Sequence, residues 1–425
     1  MAKRIAVALS GGLDSVVLLD TVCKAAQASS RNNPELHTEV WVFHIHHGLQ
    51  KPADQWLVFC ESLAKKYQAQ FDFRLLHFAD QSTGNIEARA RAGRYEALAE
   101  LCAEHQIEDL LLAHHQNDQA ETILLQLLRG AGVAGLSGMP EQRIHAEHGH
   151  PITLWRPLLN QSRADLEAYA KAHRLKWIED PSNQDSRYRR NAIRKQVIPK
   201  LAKIQPEAVA NLARSAGLLA EAQTLLDRLA RQDGKNILLT GALKLAPLLK
   251  LHLQDRAAAN NLLRYWLKLN GLAMPSQERL DSWYLDLSKV QPGAALEWLH
   301  DDTSIRLWRG VLQIVKTHSG RWIFKAIAGN SKKPGLPAAW VKDAEERGLV
   351  EQKSRQGAEK IQLKANTPHK TLKNLFQEAD IPPWERQAPL LYIDGELVAV
   401  AGVGVSYPHL CSSGKRVMPE WSVNT

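Results

Sequence analysis

A short serine- and glycine-rich loop near the start of the chain constrains the fold more than any other feature. The segment S-G-G-L-D-S, residues 10–15, lies between an apolar run at 5–9 and a stretch with helical character at 15–26. Free N–H groups and the helix dipole converge at a helix N-terminus, and glycines let an anion approach the backbone. The loop lacks the Gly-Lys-Ser/Thr ending of a Walker loop and the glycine spacing of a dinucleotide-binding fingerprint. It therefore predicts an anion site, with an ordinary turn capped by its aspartate or serine as the alternative.

Strands and helices alternate over the first third of the chain. The predicted strands are residues 5–9, 40–43, 71–76 and 110–113. The predicted helices are residues 15–26, 54–67, 87–104 and 119–128, the last ending before Gly130. This alternation predicts an α/β domain with a parallel sheet and right-handed crossovers.

The remaining sequence divides into a helical region and a mixed region. We predict helices over residues 163–214 and 207–288, a polar loop at 142–150, short strands within 291–315 and a linker at 330–337. A helix near 371–379 precedes strands at 390–393 and 397–400, and Asp394-Gly395 between them is a hairpin signal. The predicted organisation is an α/β domain at 1–215, a mainly helical domain at 216–330 and a small α+β domain at 331–425.

The net charge and the cysteine content limit which partners and which cellular compartment the sequence favours. The 425 residues carry a formal net charge of +9, which favours a polyanion, and nucleic acid fits better than a membrane surface. The apolar run near the N-terminus is too short for a signal peptide, and no stretch reaches membrane-spanning length. Four scattered cysteines, at 23, 60, 102 and 411, indicate neither a disulfide scaffold nor a thiolate zinc site. A cytoplasmic protein is the simplest interpretation.

The loop resembles the PP-loop of N-type ATP pyrophosphatases, which cleave ATP between the α and β phosphates. Further motifs make the chain similar to the tRNA(Ile)-lysidine synthase family over nearly its whole length. They are residues 44–49 (H-I-H-H-G-L), 87–95, 113–122, 128–130, 156–159, 179–183, Tyr188, 190–191, 193–194, 372–376 and 381–384 (I-P-P-W). Two positions depart from the pattern, since His46 stands where the family more often has Asn and Ile86 where an extra Glu is common.

The resemblance implies an activity and a fold. It implies an adenine nucleotide alpha-hydrolase-like first domain, followed by two domains that bind tRNA. It implies that ATP transfers AMP to the C2 oxygen of the wobble cytidine in the CAU anticodon of isoleucine tRNA. The ε-amine of free lysine then attacks C2 and expels AMP, which gives lysidine and changes codon reading from AUG to AUA. ATP and Mg²⁺ are the implied cofactors.

The same resemblance assigns site residues. The implied phosphate-binding residues are Ser10, Gly11, Gly12, Leu13, Asp14 and Ser15. The implied catalytic set is Asp14, Arg91 and Asp118, with Asp14 and Asp118 as the Mg²⁺ ligands and Arg91 on the phosphates. Each has a plainer alternative: Arg91 lies four residues after Glu87 and could pair along its helix, and Asp118 could cap the helix that follows. Lysine arrives protonated at neutral pH, so some group has to take its proton, and Asp118 and a phosphate oxygen are the candidates.

The basic and histidine-rich segments are further candidates. Seven basic residues follow the catalytic domain and predict RNA contact or a solvated helix face: Arg187, Arg189, Arg190, Arg194, Lys195, Lys200 and Lys203. Trp177 and Tyr188 are candidates for base stacking, with core packing as the alternative. Lys370, Lys373 and Arg386 are candidate tRNA contacts near the C-terminus. Three histidine clusters raise a structural zinc site as an alternative: residues 44, 46 and 47, residues 114 and 115, and residues 145, 148 and 150.

Three rival functions stay open at this point. A tRNA thiolase of the same class would need catalytic or paired cysteines, and no C-x-x-C is present. An ammonia-using ligase would normally carry a glutaminase domain, and none is apparent. A non-catalytic RNA-binding protein would have no need of Asp14, Arg91 and Asp118 together.

Overall fold

The computed structural model describes two compact units, residues 1–228 and residues 229–425. The described residues are 3–32, 38–46, 53–76, 86–145, 150–181, 187, 189–291, 296–301, 303–315, 320–329, 331–379 and 381–423, with the backbone alone for 86–90 and 423. Tyr188 and two of the clustered histidines, at 47 and 148, lie outside this part of the chain.

The first unit is built on a six-stranded sheet in the order β3-β2-β1-β4-β6-β5. Its strands are β1 (Lys3–Ala8), β2 (Thr38–His46), β3 (Gln70–Leu75), β4 (Asp109–Leu111), β5 (Gln142–His145) and β6 (Ile152–Trp155). The first four strands and β6 are parallel, which confirms the predicted α/β class, whereas β5 is antiparallel to β6. The polar loop predicted at 142–150 was therefore wrong in its first half, because backbone pairing with β6 overrides the polar composition.

The helices of the first unit connect these strands and then extend beyond the sheet. They are α1 (Leu13–Asn32), α2 (Ala53–Lys66), α3 (Ile86–Glu104), α4 (Gln116–Leu127), α5 (Val133–Leu136), α6 (Arg163–Ala172), α7 (Arg189–Ala192), α8 (Ile198–Ile204) and α9 (Ala208–Asp233). A π-helical turn, Ile193–Val197, joins α7 to α8. Helix α9 continues into the second unit.

Alternate residues of the central strands supply the cores on the two faces of the sheet. Val7 and Val42 pack with α1, α2 and α6 on one face, whereas Ala6 and Phe43 pack with α3 on the other. Successive side chains of a strand point to opposite faces, so a buried parallel strand is apolar throughout. This explains why the strands could be recognised from unbroken apolar runs.

The continuous helix predicted over 163–214 was wrong, because α6 ends at Ala172 and the chain becomes helical again only at Arg189. Arg174 adopts a left-handed conformation, with φ of 51°, and the N–H of Leu175 donates to the carbonyl of Ala170 at 2.9 Å. This is the bonding of a Schellman end, which glycine usually provides. With arginine at that position, the sequence contains no recognisable stop signal.

The second unit begins with helices that pack on a five-stranded sheet. Its helices here are α10 (Leu245–Gln254), α11 (Arg256–Leu269) and α12 (Gln277–Lys289). Its strands are β7 (Leu238–Leu239), β8 (Ala242–Lys244), β9 (Leu296–His300), β10 (Thr303–Trp308) and β11 (Val311–Val315), in the order β7-β8-β11-β10-β9. The helices confirm the helical middle region. The unbroken helical stretch predicted over 207–288 was wrong, since β7 and β8 turn at Gly241, whose φ is 73°.

The C-terminal part is rich in strands. It contains β12 (Gly320–Ile327), β13 (Leu336–Pro337), β14 (Val350–Lys353), β15 (Lys360–Ile361), β16 (Lys370–Thr371), β17 (Leu390–Ile393), β18 (Glu396–Val400), β19 (Gly404–Val405) and β20 (Arg416–Val423). Its described residues also form the α-helices α13 (Ala338–Glu346) and α14 (Leu372–Glu378). Together they confirm the predicted α+β character of this part.

The predicted hairpin and the predicted linker have different outcomes. Strands β17 and β18 pair across Asp394 and Gly395, whose φ values of 52° and 79° are those of a type I′ turn. The linker predicted at 330–337 was wrong at its C-terminal end, because Leu336 is buried and β13 pairs with β20. Strand β12 also pairs with β20 along its whole length. In the described part of the chain, no helix has the length and apolar character needed to cross a bilayer.

Candidate active site

The phosphate-binding loop leaves β1 at the point where the strand order of the sheet reverses. From β1 the chain builds the sheet outward through β2 and β3, and it then returns to add β4 on the other side of β1. The crevice at such a switch point, beyond the carboxyl ends of the strands, is where open α/β sheets bind ligands. The two segments that leave β1 and β4 carry Asp14 and Asp118.

Hydroxyl groups hold the loop in its shape. The Oγ atoms of Ser10 and Ser15 lie 3.1 Å apart, and the Ser15 hydroxyl donates to the Gly12 carbonyl at 2.9 Å. The Ser10 hydroxyl in turn accepts from the Gly12 N–H at 3.4 Å. These bonds present the start of α1 at the edge of the sheet, with the geometry of an anion site.

Gly11 is required where it stands. Its φ of 86° disfavours other residues, and a Cβ there would lie 3.1 Å from Ile178 Cδ1 and 3.3 Å from Cys60 Sγ. The Gly11 carbonyl accepts from the N–H of Ile178 at 2.9 Å. The segment after α6 therefore fixes the back of the loop.

A buried imidazole links the loop to α4. Nε2 of His115 lies 3.5 Å from Asp14 Oδ2 and also 3.5 Å from Asp118 Oδ2. Burial lowers the pKa of His115, but the carboxylates of Asp14 and Asp118 outweigh it and the pKa is raised overall. Oδ1 of Asp14 is also buried, and it accepts no hydrogen bond from the described residues. The structure thus brings two of the three predicted catalytic residues together through His115.

Asp118 has two structural tasks. His115 is the N-cap of α4, its Nδ1 accepts from the Asn117 N–H at 3.2 Å, and Asp118 Oδ2 accepts from the His115 N–H at 3.0 Å. This capping box realises the plainer alternative for Asp118. The other carboxylate oxygen, Oδ1, lies 3.0 Å from the Arg190 guanidinium.

Glu121 adds a second carboxylate on the same face of α4, and two arginines neutralise the pair. Its buried carboxylate accepts from Arg190 Nε at 2.7 Å and from Arg194 Nε at 2.6 Å. Burial raises the pKa of Asp118, but His115 and Arg190 outweigh it and hold that pKa below its ordinary value. Asp118 is therefore held in its charged form.

His114 lies beside this network but remains neutral. Burial and the guanidinium groups of Arg156, Arg190 and Arg91 lower its pKa to about 3, against the opposing effect of Asp118. Its Nδ1 atom is buried without a hydrogen-bond partner among the described residues. A neutral imidazole in this position can accept a hydrogen bond.

Arg91 is the predicted site residue that the structure does not bring into contact with the other two. Its guanidinium lies 5.5 Å from the ring of Tyr95, one turn further along α3. Among the described residues no ion pair joins Arg91 to Asp14 or Asp118. Its charge contributes to the lowered pKa of His114, which is its one described link to the site.

The histidine clusters form no ligand set in the described residues. His44 Nδ1 donates to the Leu9 carbonyl at 2.8 Å, and His46 Nε2 lies 3.0 Å from Asp54. The described part of the chain contains one group with metal-ligand spacing, Asp72, Glu104 and His105, and the Arg74 guanidinium already pairs with both of its carboxylates. This gives no support to a structural zinc in any of the three clusters.

The predicted RNA contacts divide into inward and outward groups. Arg190 and Arg194 face the acidic pair on α4, whereas Arg189, Lys200 and Lys203 are exposed. Trp177 packs against the first core, in agreement with its plainer alternative. Near the C-terminus Lys373 is exposed, Lys370 pairs with Glu378 at 2.8 Å, and Arg386 donates to the Ile381 carbonyl at 2.7 Å.

Comparison with known proteins agrees with this geometry. A parallel sheet whose first strand enters a helix through S-G-G-L-D-S defines a PP-loop protein, and the family described as PP-loop domain matches residues 1–201. The TilS substrate binding domain matches residues 243–313, and the TilS substrate C-terminal domain matches residues 350–421.

The relatives identify the family more narrowly. The tRNA(Ile)-lysidine synthase of Nitrosomonas europaea is 35% identical, covering 97% of this chain and 90% of that protein. The synthase of Ralstonia nicotianae is 38% identical, covering 94% of this chain and 88% of that protein. The chain belongs to the tRNA(Ile)-lysidine synthase family.

Sequence reasoning missed the residues that connect the site. The motifs that carry the resemblance, at 113–122, 190–191 and 193–194, contain four of them, His115, Glu121, Arg190 and Arg194, but none was assigned a role at the site. His115 was considered further only as part of a histidine cluster, and Arg190 and Arg194 only as candidate RNA contacts. Asp118 and Glu121 are three residues apart, a spacing that puts them on one helix face, so the acidic pair could have been recognised. No local signal indicates that arginines about seventy residues further along the chain pair with it.

Proposed function

We propose that this chain joins lysine to C2 of the wobble cytidine in the CAU anticodon of isoleucine tRNA, through an adenylated cytidine. Use of ATP follows from the PP-loop domain, and action on tRNA follows from membership of the family. The observation that carries the proposal is the convergence of Asp14 and Asp118 on His115 beside the phosphate-binding loop. The C2 oxygen of cytosine is a poor leaving group, and transfer of AMP to this oxygen makes it a good one. The lysine amine then attacks C2 and displaces AMP.

The loop and the start of α1 are proposed to hold the pyrophosphate part of ATP. The N–H groups and the dipole of α1 favour negative charge there, and positioning supplies much of the rate enhancement in such a transfer. Asp14 adds a carboxylate to the same place, where it would repel the phosphates unless a cation lay between them. This argues for a divalent ion at Asp14.

Asp14 and Asp118 fit Mg²⁺ unequally. The buried Oδ1 of Asp14 accepts no hydrogen bond from the described residues, so it can serve as a ligand. Both oxygens of Asp118 already accept hydrogen bonds, one from the His115 N–H and one from Arg190. We propose Asp14 as the main protein ligand, and Asp118 as a ligand that competes with Arg190. When bound, the ion would neutralise charge that develops on the phosphates.

The lysine ammonium needs both a site and a proton acceptor. The lowered pKa of Asp118 keeps this carboxylate charged, because His115 and Arg190 outweigh the effect of burial. A carboxylate of this kind attracts an ammonium better than it takes the proton from it. We therefore propose that Asp118 orients the lysine amine and that a phosphate oxygen is the acceptor.

The thiolase alternative finds no support in the cysteines of the first unit. Cys23, Cys60 and Cys102 are all buried, and burial raises the pKa of each thiol to about 12. The thiolate is the nucleophilic form, and these thiols remain protonated near neutral pH. Sulfur transfer through these three residues is thereby disfavoured.

Pyrophosphate release with ATP and an unmodified isoleucine tRNA transcript tests the proposal. We expect release together with lysidine in the digested tRNA when lysine is present, and no lysidine when lysine is omitted. A transcript with uridine at the wobble position is the matched control and should give neither product. Modification that requires a sulfur donor in place of lysine would contradict the proposal in favour of a thiolase, and binding without turnover would favour an RNA-binding protein.

A further inference from the structure

A surface groove lies beyond the predicted site, between the C-terminal end of α4 and the helical segment that begins with α7. It has a volume of about 360 Å³, and its walls include Leu125, Leu128, Arg129, Arg189, Gln196 and Val197. This volume falls within the range of roughly 300–1,000 Å³ that is usual for small-ligand sites. None of these six residues belongs to the catalytic set or to the phosphate-binding loop.

The walls of the groove expose apolar surface to solvent. Leu128 is 79% exposed and Val197 is 38% exposed. Val197 and Gln196 lie in the π-helical turn Ile193–Val197, a rare conformation that is often found at functional sites. The helix thus has an uncommon backbone conformation where it lines the groove. The apolar side chains of Leu128 and Val197 remain partly open to solvent there.

The charge in the groove has one sign. Its described lining contains two guanidinium groups, of Arg129 and Arg189, and no carboxylate. Consecutive arginines of α7 face different ways, since Arg190 pairs with Asp118 and Glu121 whereas Arg189 lines the groove. The groove and the predicted site are therefore formed by the same two helical segments. The site is acidic, with its carboxylates neutralised by arginines, whereas the groove is apolar and positively charged.

We propose that this groove binds one unstacked nucleotide of the RNA substrate, in the anticodon loop and close to the wobble cytidine. The proposal rests on the proposed function. The aliphatic walls contact the base, and the two arginines contact its neighbouring phosphates. Positive charge along the backbone is a general feature of proteins that bind single-stranded RNA, and a guanidinium plane can also stack on a base. Two guanidinium groups without a carboxylate favour RNA over a second copy of this chain or a protein partner.

The distance along α4 agrees with this occupant. Leu125 lies about two helical turns beyond Asp118, roughly 10 Å along the axis at about 1.5 Å per residue. Stacked nucleotides are spaced by about 3.4 Å along one strand, so about three of them span this distance. The groove would hold a nucleotide that fixes the register of the loop, so that the wobble base reaches the acidic face of α4.

A matched pair of variants tests the groove. Leu128→Asp places a carboxylate in the apolar wall, whereas Leu127→Asp makes the same change on a neighbouring side chain that is 51% exposed and does not line the groove. We expect Leu128→Asp to weaken the affinity for the isoleucine tRNA transcript by roughly 10- to 100-fold, the loss expected when one leucine side chain is no longer buried against the base. Leu127→Asp should lose no more than about twofold, and the ATP affinity and the urea midpoint of both variants should match the wild type.

Transcripts with an abasic site at each anticodon-loop position in turn identify the nucleotide. The effects of Leu128→Asp and of the abasic site should be non-additive at one position within about three nucleotides of the wobble cytidine, and additive elsewhere. Arg129→Gln should weaken binding less at high salt than at low salt, since it removes a phosphate contact.

The outcomes separate the groove from the catalytic function. Lysidine formation by the wild type, with equal tRNA affinity for Leu128→Asp and Leu127→Asp, would overturn the groove proposal and leave the function standing. Absence of lysidine with the wild type would overturn the function itself. A change of oligomeric state in Leu128→Asp, with tRNA affinity unchanged, would assign the groove to a second copy and also overturn the proposal.

Discussion

Nε2 of His115 lies 3.5 Å from Asp14 Oδ2, so one imidazole connects the N-terminus of α4 to the S-G-G-L-D-S loop. The ring is 1% exposed, and its other nitrogen caps α4 by accepting from a backbone N–H. In the neutral form of the ring, this bond in the helix cap fixes the tautomer that presents Nε2–H to Asp14. The segments that follow β1 and β4 are thus connected by a side chain whose charge depends on pH.

The raised pKa of His115 makes part of the stability pH-dependent. Burial lowers this pKa, but Asp14 and Asp118 outweigh it, so the folded protein holds the proton more tightly than the unfolded chain. The contribution is complete below about pH 6.5, the ordinary value, and is lost as pH rises through the folded pKa. In urea titrations from about pH 6 to pH 9, the stability lost in His115→Gln should therefore be largest at the acidic end. His150→Gln, whose ring contacts a backbone carbonyl, is the control; a loss that grows with pH would contradict this account.

Loss of the Asp14 carboxylate should stop turnover without unfolding the protein. Asp14→Ala and Asp14→Asn remove the partly exposed carboxylate beside the phosphate-binding loop, and we expect pyrophosphate release to fall at least about 10²- to 10³-fold. The measurement is tRNA- and lysine-dependent pyrophosphate release, with circular dichroism as the test of folding. Asp343→Asn, an exposed carboxylate in the second unit, should keep full activity. Retained activity in Asp14→Ala would remove the loop aspartate from the mechanism.

Arg190 should be needed for stability. Arg190→Met leaves Arg194 as the remaining arginine partner of Asp118 and Glu121, beside the contact of Asp118 with His115. Losing one partner of a buried ion pair costs about 3–5 kcal/mol. Because Arg194 remains, we expect a loss toward the lower end of this range, measured as the free energy of unfolding in urea. The adjacent exposed residue provides the control, and Arg189→Met should change stability by no more than about 0.5 kcal/mol. Equal effects of the two variants would show that the pairing contributes little.

A second buried carboxylate ties three helical elements together away from the site. Asp20 on α1 accepts from the hydroxyls of Tyr67 and Tyr169, both at 2.7 Å, and from Lys24 at 2.8 Å. We expect Tyr67→Phe and Tyr169→Phe each to cost about 1.5–3 kcal/mol, the usual contribution of a hydrogen bond to a charged group. The urea midpoint of each variant is the measurement, and Tyr407→Phe, an exposed tyrosine, is the control.

The same carboxylate predicts a loss of stability in acid. Burial raises the pKa of Asp20, but the hydrogen bonds from Lys24, Tyr169 and Tyr67 outweigh it and lower the pKa overall. The contribution is therefore present above about pH 3.8 and is lost as pH falls through the folded pKa. In Asp20→Asn the acid unfolding transition should be less steep than in the wild type. An unchanged transition would show that other carboxylates control acid unfolding.

Removal of the C-terminal part should weaken tRNA binding more than it alters ATP use. A cut after about Lys333 would leave β12 without its partner β20, so truncation before Gly320 removes this sheet as a whole. We expect a large loss of affinity for the tRNA transcript and an ATP affinity within about twofold of the wild type. Isothermal titration with each ligand measures both quantities. Unchanged tRNA affinity would give the C-terminal part another role.

Local sequence patterns were sufficient to predict those elements whose conformation depends mainly on residues close by in the sequence. Parallel strands such as β1 are buried on both faces and read as apolar runs, and Asp394-Gly395 indicates its turn because few residues tolerate positive φ. The end of α6 escaped prediction because Arg174 occupies the left-handed position that glycine usually marks. Strand β5 escaped prediction because its pairing with β6 overrides its polar composition.

The amino-acid sequence by itself determined the S-G-G-L-D-S loop between the first strand and the first helix, the parallel α/β class and the family, since each depends on residue types at short spacing. Only the tertiary structure decided which charges meet. His115 joins Asp14 to Asp118, and Arg190 reaches back to the same helix face, while Arg91 stacks on Tyr95. Ion pairs between distant segments depend on how the helices pack on the sheet, and no local pattern of residues encodes that arrangement.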